Sequence, residues 1–190
     1  GDTGEGASTL RFHAEHAGTM TTATVFALIG CLLAVAGLPA ALRVLRPARP
    51  RLSLVAVVLM MAGYVCYFGI VFTGFDTIAL GRHGVDAGAA LDASPVMTAG
   101  LPFLLTFVAG NLLGAVLLGV SVILSRRHSA VGVPWWAGLL ILGWPVGHVI
   151  NLVVVDETYA VIGGLLQVAG LIMISRAAFG LSDADWVDRG

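Results

Sequence analysis

Five long apolar stretches dominate the chain, at about 21–42, 52–73, 96–124, 134–155 and 159–178. At about 1.5 Å per residue each is long enough to cross about 30 Å of hydrocarbon. Apolar segments of this length read as transmembrane helices. The expected fold is therefore all-α, a polytopic transmembrane helical bundle, with residues 1–190 as a single integral membrane domain.

The composition leaves little room for a water-facing surface. Hydrophobic residues make up 58% of the 190 and charged residues 11%, with a mean hydropathy of +0.95. The net charge is -1 and no lysine is present. A nucleic-acid partner, which needs a concentrated basic surface, is not expected, and a Schiff-base chemistry has no amine inside the spans. Cys31 and Cys66 fall inside apolar runs, where a small hydrophobic filler is the commoner role and a metal ligand or redox thiol the alternative.

Loop composition gives an orientation. Arg43, Arg46, Arg49, Arg51, Arg126, Arg127, Arg176 and Arg189 fall on one side of the alternating spans, and Arg11 and Arg82 on the other. By the positive-inside tendency, residues 43–51, 126–133 and the C-terminus are cytoplasmic in a multi-pass plasma-membrane or bacterial inner-membrane protein. Residues 1–18, 74–95 and the Asp156–Glu157 turn are then outside. An outside start without a recognisable signal suggests that the five visible spans are the last five of six. The alternative is direct insertion with the amino terminus outside. Residues 1–18 read as polar and turn-rich, and 43–51 as a short, rigid basic loop. Residues 74–95 are too polar to cross, with Ser94 and Pro95 marking a helix start. Trp135 and Trp136 suit a headgroup-level anchor, and Asp183, Asp185 and Asp188 form an acidic tail.

Polar groups inside spans are the candidate chemistry, because lipid offers them no water and bundle interiors usually receive them. His148 and Asn151 are three residues apart and share a helical face. Counting back from Val155, His148 lies about 10 Å beneath the outer boundary. Asn111 and Gln167 fall nearer the midplane, and Tyr64 shares a face with Tyr67. These six form an expected polar seam, opening outward toward His13, Glu15, His16, His83, Asp86, Asp156 and Glu157, while His128 is cytoplasmic. Interhelical packing is the structural alternative, each such hydrogen bond being worth about 1 kcal/mol or less.

Several ligands fit parts of this pattern. His13, His16, His83 and Glu157 are the residues for a divalent metal, although no HExxH or cysteine-rich spacing accompanies them. A bis-histidine haem lacks a second deep histidine, whereas a quinone needs only hydrogen bonds. The preferred reading is a non-enzymatic bundle that binds a membrane protein partner or a small hydrophobic ligand through the seam. The alternative is a small membrane enzyme, or a metal- or quinone-binding protein, using His148 and the outer carboxylates. Gly110/Gly114 and Gly143/Gly147 place small residues one turn apart, suited to close helix packing within the chain or to a homodimer.

The RVLRPARPRL loop, the DASP start of the third span and the VPWWAGLLILG segment, with a glycine-rich final span, resemble small uncharacterised actinobacterial membrane proteins. Several of those resemble a six-span family of unknown function. The resemblance implies a topology, with this chain matching the last five spans, and carries over no catalytic residue.

Overall fold

The structure, a computed structural model, describes residues 5–84, 87–93, 98–127 and 132–189. Among the described residues there are eight α-helices and no strand: α1 (Glu5–Glu15), α2 (Ala17–Leu45), α3 (Pro50–Arg82), α4 (Gly88–Ala93), α5 (Leu101–Leu124), α6 (Trp136–Val154), α7 (Thr158–Phe179) and α8 (Asp183–Asp188). Five of these, α2, α3, α5, α6 and α7, are long and apolar enough to cross a membrane. Their outward faces confirm the solvent: Phe26, Leu33, Phe103, Leu152 and Val153 are all more than 60% exposed, a surface that water would not tolerate. The chain is a multi-pass, all-α membrane bundle.

The helices overrun the apolar stretches. α3 has 33 residues, about 50 Å at helical rise, so it continues beyond the hydrocarbon through Asp76 to Arg82. α2 runs unbroken through Pro39, as membrane helices can when neighbouring groups satisfy the freed backbone. The basic loop shrinks to a turn in which the Ala48 and Arg49 N–H groups donate to the Leu45 carbonyl at 3.1 and 3.0 Å. Pro50 then opens α3, where its missing N–H has no helical partner to lose. The expected helix start at Ser94, Pro95 and Val96, together with Asp86 and His128, lies outside the described residues.

Two compact units divide the chain, residues 1–34 with 64–107 and residues 35–63 with 108–190. In the first, the amino-terminal segment read as turn-rich is instead the helix α1. Its glycine serves packing rather than turning. A Cβ on Gly6 would lie 2.5 Å from the Gly88 carbonyl oxygen and 2.8 Å from Leu91 Cβ, and the Gly6 N–H donates to Asp92 Oδ1 at 2.7 Å. Leu10 of α1 is buried against Gly81 of α3. Thr24 of α2 is buried beside Gly74, and the rings of Tyr67 and Phe107 stack 4.4 Å apart.

The second unit holds the larger core, with Val44, Leu45, Met60, Leu118, Val122, Ile141 and Ile174 almost fully buried. Glycines set its helix spacing. A Cβ on Gly114 would lie 2.9 Å from Met60 N of α3, and one on Gly147 would lie 3.2 Å from Gly163 Cα of α7. Both glycine pairs are therefore occupied by helices of the same chain. Ser53 and Ser121 are buried and join α3 to α5 through a 2.7 Å hydroxyl–hydroxyl hydrogen bond. Ser53→Ala is expected to cost about 1 kcal/mol in a denaturant titration in detergent. The Ser53→Ala/Ser121→Ala pair should cost less than the sum of its singles, and additivity would show that the bond contributes nothing.

Candidate functional site

α6 carries the most informative polar face. Trp144, His148 and Asn151 follow one another at helical spacing, so they project from one side. The His148 ring is half-buried and tilts 39° against that of Trp144, with centroids 4.2 Å apart. Among the described residues, His13 Nδ1 and His148 Nδ1 are the buried side-chain nitrogens or oxygens that lack a hydrogen-bond partner. A buried polar atom left unpaired costs free energy that a partner would recover. On α1, by contrast, His16 Nδ1 bonds to the Phe12 carbonyl one turn earlier at 3.1 Å, with its ring stacked on Phe12.

The other intraspan candidates of the second unit meet different neighbours. Asn111, 3% exposed, sits where a Cβ on Gly63 would come within 2.8 Å of its Nδ2, so the glycine makes room for the amide. Gln167 is buried on α7 between Gly163 and Gly170, the face packed on α6. Asn151 is half-exposed near the end of α6. Tyr64 and Tyr67 belong to the first unit, where both are partly buried and Tyr67 stacks on Phe107.

The α6–α7 turn is tighter than its composition implies. Val155 closes α6 in the left-handed region at φ 58° and ψ 42°, its N–H donating to the Asn151 carbonyl at 2.7 Å. A β-branched residue rarely takes that conformation, and this is why sequence reasoning passed Val155 over. Asp156 Oδ1 accepts from the Thr158 N–H at 2.9 Å, and this bond holds the carboxyl below the usual carboxylate range. Asp156 is thus a helix-start acceptor, and Glu157 beside it is exposed. Trp144 was also missed as the partner of His148, although spacing by four residues was the available signal.

Of the metal candidates, His13, His16 and His83 fall in the first unit and Glu157 in the second. His16 and His83 are exposed, and His83 joins Phe75, Ile78, Ala79 and Arg82 in lining an open groove at the end of α3. Among the described residues, no three His, Cys, Asp or Glu side chains come together as a metal site would require. No protein-family model, curated protein or solved structure matches the chain.

Proposed function

We propose that this membrane bundle is a non-enzymatic binder of a small hydrophobic ligand bearing a hydrogen-bonding group, engaged through His148. The observation behind this reading is the unpaired, buried Nδ1 of His148 beside the Trp144 ring. An aromatic wall next to an unsatisfied imidazole suits a flat ligand with a carbonyl or hydroxyl, such as a quinone. Asn151 on the same face offers a second polar contact, and Gln167 and Asn111 are further intraspan polar groups of the same unit.

The test is direct. The protein is purified in mild detergent, and its absorption spectrum, metal content and extracted lipids are recorded. A stoichiometric quinone or other small aromatic lipid is the expected result. A stoichiometric metal would instead favour metal binding, and a protein free of any such ligand that also fails to bind added decyl-benzoquinone would end the proposal.

The accompanying topology places the arginine-bearing ends in the cytoplasm, supported by eight arginines on one side against two on the other. With Cys31 and Cys66 replaced by serine, a cysteine at His83 should react with an impermeant maleimide from outside intact cells, and one at Arg49 only after permeabilisation. Labelling of both from one side refutes the orientation.

A further inference from the structure

At the arginine-bearing end of the second unit, residues 43–51, 125–127 and 175–189 contain Arg43, Arg46, Arg49, Arg51, Arg126, Arg127, Arg176 and Arg189. The carboxylates of these segments are Asp183, Asp185 and Asp188, and all three lie in α8. Arg43 and Arg46 reach that helix from the end of α2. The Arg43 guanidinium lies 4.5 Å from the centroid of the Trp186 ring and donates to the Trp186 carbonyl. Arg46 Nη1 donates to the Arg189 carbonyl at 3.1 Å. Both acceptors lie at the C-terminal end of α8, where carbonyls have no intrahelical donor.

α8 itself is short and open to solvent. It has six residues, none of them buried, and a helix that short has no independent stability in water. Its internal support is the Ser182 cap, which accepts from the Asp185 N–H at 3.1 Å, and an Asp185–Arg189 pair at 3.8 Å in which Asp185 is exposed and the Arg189 side chain largely buried. Arg43 and Arg46 take part in docking it, and their bonds to Trp186 and Arg189 run to neutral carbonyls and a ring face. A phosphate would satisfy the same guanidinium forks with charged oxygens, in bonds roughly twice as strong. Arg43 and Arg46 also lie at the end of a candidate span, the level at which lipid headgroups sit. The surrounding arginines would concentrate anionic lipid there.

We infer that Arg43 and Arg46 form a binding site for the phosphate of an anionic phospholipid, and that α8 is a strap covering the site until such a lipid displaces it. This does not rest on the His148 reading.

The test uses the full chain reconstituted in phosphatidylcholine bilayers, with and without about one-third phosphatidylglycerol, and follows hydrogen exchange at the Trp186 and Arg189 amides. Exchange should be roughly tenfold faster in the anionic bilayers, because the strap opens. Arg43→Gln/Arg46→Gln should exchange fast in both, and should retain less phosphatidylglycerol after detergent extraction, by about fivefold per arginine. Equal wild-type exchange in the two bilayers overturns the proposal. Inorganic phosphate at millimolar concentration should leave exchange in phosphatidylcholine slow; acceleration by it would overturn the assignment to a lipid. If the double variant does not fold, Trp186→Ala uncovers the pair instead. It should retain more phosphatidylglycerol than the wild type, and unchanged or reduced retention overturns the proposal.

Discussion

Gly163→Leu is expected to abolish the folded α6–α7 pair, whereas Gly164→Ala, one residue away, should leave it intact. A Cβ at Gly163 would lie 3.0 Å from Gly143 C and 3.1 Å from Trp144 Cα. Those are backbone atoms of α6 and cannot turn aside as a side chain can, so the helices must separate. Overpacking of this kind costs about 1–3 kcal/mol when side chains can adjust, and here the loss should be at the top of that range or beyond it. At Gly164 the nearest atom to an added Cβ is Trp144 Cδ1 at 3.7 Å, an ordinary contact, and alanine is the better helix former. Thermal unfolding in detergent, followed by circular dichroism, separates the two. Equal stabilities would show that the α6–α7 backbones do not meet at Gly163.

His148→Ala is expected to lower affinity for a benzoquinone probe by tenfold or more while changing stability by about 1 kcal/mol or less. The stability expectation follows from the environment of the ring. Its Nδ1 makes no hydrogen bond in the protein, so truncation strands no partner. The main loss is the contact with Trp144, worth about 1 kcal/mol. Fluorescence quenching by the probe and denaturant titration on the same preparation read the two quantities separately. A loss of folded protein as large as the loss of binding would make His148 a packing residue and remove the site.

These two residues also show how far the sequence could be read. Gly163 lies in an apolar stretch, and nothing local distinguishes it from Gly164; both are glycines in a span. The difference arises because Gly163 faces α6 across a backbone contact and Gly164 meets it only through the edge of Trp144. His148 was legible as an exception, a single imidazole deep in an apolar segment, and Trp144 could have been found from its spacing. The missing hydrogen bond could not, because it depends on what the neighbouring helix and the ring's own rotamer leave within reach. The amino-terminal segment misled in the opposite direction: residues 1–18 read as turn-rich, yet Gly6 is a packing residue of α1, its N–H held by Asp92, 86 positions further along the chain.

The acidic tail gives the same lesson at longer range. Its aspartates were visible as charge on the arginine-rich side, but the contacts run from Arg43 and Arg46 to the carbonyls of Trp186 and Arg189, 143 residues away in each case. Charge composition does not distinguish a carboxylate acceptor from a backbone one.

The sequence by itself determined that this chain is an all-α, multi-pass membrane bundle, because apolar length and the need to satisfy every backbone group in lipid are local properties that few architectures can meet. The tertiary structure alone decided which glycines bring backbones together, which polar side chains find partners, and that Arg43 and Arg46 reach α8. Those outcomes depend on close approach between segments far apart in the chain, and packing at that scale turns on tenths of an ångström that residue type does not encode.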